Sequence, residues 1–343
     1  MTDLYENISK EIQKNMETLY PILLPLAGSF LLSAVLLKIF IPVLRKVKLG
    51  QKILEIGPSW HKCKEGTPVL GGLFFVLSTL VAFLAWVILG GEGVDPAWGG
   101  IAILALCSCL TGFIDDYVKL FKKRNKGLTA KQKMALQILT AAAFLAYRAL
   151  VLDAGTALKL YGLFGLESLE LSWFYYPLMA VVIVYVINCA NLTDGIDGLA
   201  GSVSLIQCVF FICAGSLLWE NVGLTALSAA LAGGLLGFLV FNFHPAKIFM
   251  GDTGSLFLGG FTVALAFTAD AELLLIPLCL IWIIEGVSVM LQVFFFKLTG
   301  KRIFKMAPIH HHFEMCKWSE VRVVFTFSFV TAVSCGLTFW LLA

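Results

Sequence analysis

Carboxylates recur in this chain where an apolar sequence has no structural need for them. They are Asp115-Asp116, Asp194 with Asp197, Asp252, and Glu314 beside His310-His311-His312. Each lies at the end of an apolar run, where a charge is expensive to keep. Gathered on one face, such oxygen ligands suit a hard divalent cation and a phosphate-bearing substrate. The chemistry they point to is phosphoryl transfer, in which charge on the moving phosphate is neutralised and the attacking oxygen is positioned. No Gly-x-x-x-x-Gly-Lys-Ser/Thr segment is present, which argues against a P-loop ATPase.

The motifs differ in what they can do. In Phe113-Ile114-Asp115-Asp116-Tyr117-Val118-Lys119 the acids are adjacent, so on a helix they point about 100° apart. One can face a reacting group while the other serves a metal, a lysine or a helix end; a plain helix end at the membrane interface would also carry such a pair. The segment from Asn188 to Ala200 sets Asn188, Asn191, Asp194 and Asp197 around two Asp-Gly-type turns. Its exposed N–H groups and polar side chains can hold a phosphate, a ribose or a base edge, although one of the acids could merely cap the following helix. The segment from Asn242 to Ser255 offers Asp252 as a hard-cation ligand or helix cap, and Phe249 as a face for a base to stack on.

Three successive histidines suggest zinc at first. Adjacent residues diverge, however, and metal pairs need spacings of three or four. No neighbouring cysteine completes a set, so His310, His311 and His312 fit better as donors to a diphosphate or as a brace for their loop. The segment from Trp60 to Pro68, with Lys62, Lys64 and Thr67, supplies positive charge before a helix start and could contact an anionic nucleotide.

These motifs must be positioned by apolar helices. The chain has 343 residues, 59% of them hydrophobic and only 14% charged, against about 25% charged in a soluble domain. Its mean hydropathy is +0.90. Lipid must therefore solvate much of its surface. The nine cysteines are scattered and form no CxxC pair, so they are read as small apolar fillers. The polar first nineteen residues do not have the pattern of a cleaved signal peptide.

The sequence predicts an all-α integral membrane protein forming a single polytopic domain over 1–343. Ten spans are expected near 20–42, 69–90, 98–114, 134–152, 173–190, 199–218, 223–242, 255–270, 273–296 and 321–342. The spans ending at 114 and starting at 255 are short, as for helices that stop inside a cavity. The ninth should kink or face the interior at Pro277, Glu285 and Gln292. A small external hairpin is expected within 153–172. Most of the lysines and arginines fall in 43–68, 115–133 and 297–322, while the alternate loops are acidic. The positive-inside rule then places both termini outside and every acidic motif in the cytoplasm.

The motifs FIDDYVK at 113–119, NLTDGIDGLA at 191–200, FMGDTGSL at 249–256 and PIHHHFE at 308–314 resemble the polyprenyl-phosphate N-acetylhexosamine-1-phosphate transferases. The contiguous HHHFE loop and the KxGTP segment before Gly71-Gly72 resemble the phospho-N-acetylmuramoyl-pentapeptide transferase family within them. The likeness runs through essentially the whole chain. One departure is conservative: Val69-Leu70 stands where the family often has Thr-Met before the two glycines.

The resemblance implies that undecaprenyl phosphate attacks the β-phosphate of UDP-MurNAc-pentapeptide, giving lipid I and UMP in peptidoglycan synthesis. It implies Mg²⁺ as cofactor, with Asp252 as its main ligand and Asp116 near the metal and Lys119. Asp115 would orient or deprotonate the lipid phosphate. Lys62, Thr67, Asn188, Asn191, Asp194, Asp197, Asn242, Phe249 and Gly251 would form the uridine and ribose pocket. Gln292, His311, His312 and, with them, His310 would serve the diphosphate or sugar side. A bacterial cytoplasmic membrane location, with the active site facing the cytoplasm, and a homodimer in the lipid bilayer are implied, with no nucleic-acid partner. Two alternatives stand beside this reading. One is a sister transferase using UDP-N-acetylglucosamine; the other is a divalent-cation transporter, whose acids would sit nearer the bilayer midplane.

Overall fold

A computed structural model describes residues 2–46, 64, 66–91, 93–121, 127–162 and 165–343. Lys62 lies outside the described residues. In chain order the helices are α1 (Thr2–Lys46), α2 (Gly71–Ile88), α3 (Ala97–Phe121), α4 (Ala130–Leu150), α5 (Tyr175–Thr193), α6 (Leu199–Leu217) and α7 (Val222–Asn242). They continue as α8 (Gly251–Thr268), α9 (Leu275–Leu278), α10 (Leu280–Thr299), α11 (Ile309–Met315) and α12 (Glu320–Leu342). Between α4 and α5 a short antiparallel hairpin pairs β1 (Ala157–Lys159) with β2 (Ser168–Glu170), Leu158 opposite Leu169. This is the hairpin expected within 153–172.

Among the described residues eight helices are long and apolar enough to cross a membrane: α1, α2, α3, α5, α6, α7, α10 and α12. Exposed residues such as Leu31, Phe294 and Phe329 give α1, α10 and α12 a surface for which lipid is the natural solvent. Helices α4 and α8 fall outside that group for different reasons. Three polar residues, Lys131, Gln132 and Lys133, lie in the opening of α4. Helix α8 opens Gly-Asp-Thr-Gly-Ser and is buried all round from Thr253 to Phe267, as a helix at the centre of a bundle is.

Two expectations about helix ends are corrected. Helix α3 does not stop at 114; it runs to Phe121, so Asp115, Asp116 and Lys119 project from a continuous helix. Helix α8 begins at Gly251 rather than 255, which places Asp252 in its first turn, where a negative charge is favourable. The ninth span is broken, as expected. Helix α9 ends at Leu278, one residue after Pro277, and the Leu278 carbonyl accepts a hydrogen bond from Gln207 Nε2 at 3.0 Å.

Close backbone approach brings the motifs together. A Cβ on Gly112 of α3 would lie 2.1 Å from the Asp252 carbonyl oxygen, and one on Gly72 of α2 would lie 2.4 Å from the Gly254 nitrogen. Only glycine lets α2 and α3 reach the first turn of α8 this closely. At the far end of the same bundle, Arg148 of α4 pairs with Glu272 and Asp270 at 3.0 Å each, and Tyr175 Oη donates to Glu272 at 2.7 Å. A cavity of about 400 Å³ lies there, lined by Phe144, Arg148, Phe267 and Asp270 among others. Of its lining acids, Asp153 and Asp270, the second is paired with Arg148.

Candidate active site

The site starts from the C-terminal part of α3. Asp115 and Lys119 are one turn apart, and Lys119 Nζ lies 2.5 Å from Asp115 Oδ2. The other oxygen of Asp115 accepts the Leu128 N–H at 2.7 Å, which ties the segment before α4 to α3. Asp116, pointing elsewhere, reaches the start of α8. It accepts the backbone N–H groups of Asp252 (3.2 Å) and Thr253 (2.9 Å), and the Thr253 hydroxyl at 2.6 Å. It thus caps α8 from a different helix. Both acids of α3 are 3% exposed.

Asp252 collects the remaining partners. Its Oδ2 accepts Lys119 Nζ at 2.9 Å and Lys133 Nζ at 3.0 Å, and its Oδ1 accepts Asn191 Nδ2 at 2.9 Å. Asn191 also binds Lys133 (3.1 Å) and Ser255 (2.8 Å). Asp115, Asp116 and Asp252 each offer an oxygen within 4.8 Å of the others. That donor set fits a hard divalent cation, and the two lysines fit phosphate oxygens.

The turn after α5 forms a second group. Asp197 is buried and takes Lys64 at 2.8 Å, the Ala246 N–H at 3.0 Å and His244 Nδ1 at 3.1 Å. Glu320, at the start of α12, binds the same Lys64 at 2.6 Å and accepts the Asp197 N–H at 3.1 Å. Neither Asp194 nor Asp197 caps α6, whose N-cap is Gly198. Asp194 keeps some solvent-accessible surface but lies deep among protein atoms. That burial, then the charges of Asp252, Asp116 and Asp197, pushes its carboxyl up to about 8.

Several sequence-predicted residues act on backbone. Asn242 accepts the Gly198 N–H at 3.0 Å and donates to Ile248 at 2.9 Å, so it braces two motif loops. Phe249 is pinned between the Pro68 carbonyl (2.9 Å) and the Gly71 N–H (2.8 Å), which joins the Gly66-Thr67-Pro68 segment to its half-buried ring. Gly251 holds φ +73°, with Asp116 Oδ2 2.6 Å from where a Cβ would be. Asn188 pairs with Gln137 of α4 at 2.7 Å, one turn beyond Lys133. Gln292 accepts Phe304 N–H at 2.9 Å and donates to its carbonyl at 3.2 Å, holding the loop before α11.

The histidines occupy three environments. His310 is fully buried beside Glu285 of α10, with Nδ1 3.1 Å from Oε1. His311 Nδ1 lies 2.6 Å from Glu314. His312 Nδ1 accepts the Lys305 N–H at 3.1 Å.

Comparison with known sequences gives this geometry a family. Residues 98–270 match the model described as glycosyl transferase family 4. A phospho-N-acetylmuramoyl-pentapeptide-transferase of Clostridium beijerinckii is 45% identical over 320 residues, covering 93% of this chain and 95% of that protein. One of Halalkalibacterium halodurans is 45% identical over 94% of this chain and 96% of its own, and one of Bacillus thuringiensis is 43% identical over 89% and 93%. The chain belongs to the phospho-N-acetylmuramoyl-pentapeptide-transferase family. It is a membrane-embedded transferase, and the cation-transporter alternative is set aside.

Sequence reading of this transferase did not place Lys133, Gln137, His244, Glu285 and Glu320 at the site, and it named Lys64 only within a basic segment that could contact a nucleotide, without its partners Asp197 and Glu320. Lys133 looks like ordinary positive-inside charge. Only the capping box of Thr129 and Gln132, which fixes the start of α4, hints that Lys133 has a defined direction. Glu285 was legible as an intramembrane acid, but its partner is distant in sequence.

Proposed function

We propose that this chain transfers phospho-N-acetylmuramoyl-pentapeptide from UDP-MurNAc-pentapeptide to undecaprenyl phosphate, giving lipid I and UMP, the first membrane step of peptidoglycan synthesis. The observation that carries the reading is the meeting of Asp115, Asp116 and Asp252 with Lys119 and Lys133, in a chain 45% identical over 93% of its length to a transferase of that name. A lipid-phosphate oxygen attacks the β-phosphorus. The bond from that phosphorus to the oxygen bridging the α-phosphate breaks, and UMP leaves with the electron pair. One anhydride replaces another, so the step is near neutral and reversible.

The lipid phosphate is largely dianionic near neutral pH and needs no strong base. Asp115 therefore orients it, with Lys119, rather than activating it. Lys119 and Lys133 supply positive charge to the phosphate oxygens. Mg²⁺ is the proposed cofactor, held by Asp252 and Asp116; when bound it neutralises charge on the transferred phosphate. Phe249 stacks the uracil. Lys62, Thr67, Asn191, Asp194, Asp197 and Gly251 complete the uridine and ribose pocket, while Asn188 and Asn242 shape its walls. Gln292, His311 and His312 serve the diphosphate or sugar side, with His310 behind them.

We further propose ten spans, α4 and α8 joining the eight apolar helices and α9 with α10 forming the ninth span. Lys133 at the start of α4 binds Asn191 of α5 and Asp252 of α8, and Arg148 at its end binds Glu272, just after α8, which Tyr175 of α5 also reaches. The 18 residues of α8 extend roughly 27 Å, close to the hydrocarbon thickness. The basic loops then face the cytoplasm, both termini lie outside, and the whole chain works as one domain in the bacterial cytoplasmic membrane, as a homodimer.

The test offers detergent-purified protein undecaprenyl phosphate with either UDP-MurNAc-pentapeptide or UDP-GlcNAc and follows UMP. UMP from the muramoyl donor alone is expected. UMP from UDP-GlcNAc alone would move the chain to the sister branch, and none from either would remove the transfer reading.

A further inference from the structure

A buried carboxyl–imidazole pair lies outside the carboxylate cluster. Glu285 of α10 and His310 of α11 are each 0% exposed. Their closest approach, Nδ1 to Oε1 at 3.1 Å, is not aligned as a hydrogen bond, and among the described residues both imidazole nitrogens are without one. Glu285 Oε2 does reach the His310 backbone N–H, at 3.5 Å. Burying such groups without good partners is costly, so a fold that keeps them gains something from their placement.

What they gain is legible from the other side of the ring. A Cβ on Gly195 would lie 2.1 Å from His310 Nε2. The imidazole is therefore wedged between Glu285 and the turn that carries Asp194 and Asp197. It also packs against the ring of His311, centroids 4.1 Å apart. One buried side chain thus touches both motif loops: the 191–198 turn and the histidine helix.

We propose that Glu285 is a positioning residue: packed against the His310 ring and accepting its backbone N–H, it holds the imidazole against Gly195 and so sets the spacing of the two loops between which the nucleotide-sugar diphosphate binds. The proposal rests on the transferase reading for the identity of that ligand. Glu285 and His310 touch no substrate; they act through His311 and through the turn.

The test measures the Kd for UDP-MurNAc-pentapeptide by calorimetry on the full-length protein in detergent, alongside KM and kcat from UMP release. Glu285→Gln keeps the shape and removes the charge. Gly195→Ala pushes the ring from the opposite side without touching Glu285. Both should weaken nucleotide binding by about tenfold or more, by analogy with the ten- to a hundredfold loss when the carboxylate behind a metal-bound histidine is removed. The KM for undecaprenyl phosphate should stay near wild type, and both variants should still melt cooperatively as folded protein. A wild-type Kd in either folded variant would overturn the proposal. So would equal losses for both substrates, which would mark general structural damage. Should Glu285→Gln fail to fold, Gly195→Ala decides alone. Failure of the wild type to release UMP would count against the transfer reading, whereas the Kd comparison judges the positioning role by itself.

Discussion

Asp116 and Thr253 are joined by two hydrogen bonds to one oxygen: Asp116 Oδ2 accepts both the Thr253 N–H at 2.9 Å and its hydroxyl at 2.6 Å. With Oδ1 on the Asp252 N–H, the second acid of α3 fixes the first turn of α8 and, with it, the direction of Asp252. The adjacent carboxylates of the motif therefore have different work. Asp115 stays with Lys119 and the Leu128 N–H, and Asp116 holds the helix that carries the third carboxylate.

Removing that cap has a measurable cost. Asp116→Ala leaves three donors of α8, the Asp252 and Thr253 N–H groups and the Thr253 hydroxyl, without their acceptor, a loss of about 1–2 kcal/mol for a helix cap. The melting temperature in detergent should fall, and Thr253→Val should lower it less. An unchanged melting temperature in Asp116→Ala would contradict the capping role.

Phe249 is held through its backbone to Pro68 and Gly71, so truncating its ring leaves the loop in place. Phe249→Ala should raise the KM for the nucleotide substrate roughly tenfold, the scale of one base–aromatic stack, and leave the KM for the lipid nearly unchanged. The reverse pattern would sink the stacking assignment.

Asp194 gives the pH dependence. Its carboxyl, pushed up to about 8 by burial and by neighbouring acids, is mostly neutral at pH 7 and ionises as the pH climbs. Ionised, it adds negative charge to a face that takes a diphosphate, so nucleotide affinity should fall as pH rises through about 8. Stability follows the same sign. A carboxyl that holds its proton more tightly when folded contributes fully below its ordinary value of 3.8, and the contribution is lost as pH rises through about 8. Asp194→Asn should flatten both profiles, and a wild-type KM independent of pH across this window would contradict the assignment.

Direct attack predicts no enzyme-bound phosphate intermediate. The lipid phosphate is itself largely dianionic near neutral pH, so the reaction needs no enzyme nucleophile. Enzyme mixed with UDP-MurNAc-pentapeptide and no lipid should release no stoichiometric UMP. A burst equal to the enzyme concentration would overturn direct attack.

The acidic motifs and apolar helices were legible because each is written locally: a charge at the end of an apolar run, or a run long enough to span. Partnerships between distant residues were not. Lys64 with Asp197 and Glu320, Gln137 with Asn188, and Glu285 with His310 arise only when helices pack. Asn242 and Gln292 read as ligand-facing polar groups, and that their amides also bind loop backbone was not legible. The end of α3 was misplaced because hydropathy falls at Asp115 while the helix itself continues for two turns supported by Lys119. Low hydropathy at a helix start hid the opening of α8 in the same way; its polar first turn is satisfied from α3.

The central claim is that Asp252 is the metal-bearing carboxylate of a phosphoryl-transfer site, and UMP release with and without Mg²⁺ tests it most directly. Wild-type protein given undecaprenyl phosphate and UDP-MurNAc-pentapeptide should release UMP only with Mg²⁺, stop on chelation and recover when the ion is restored. Asp252→Ala, folded by melting temperature, should lose roughly a thousandfold or more at every Mg²⁺ concentration, since metal-held charge stabilisation amounts to several kcal/mol. UMP release that persists in chelator, or near-wild-type turnover in Asp252→Ala, would contradict the account.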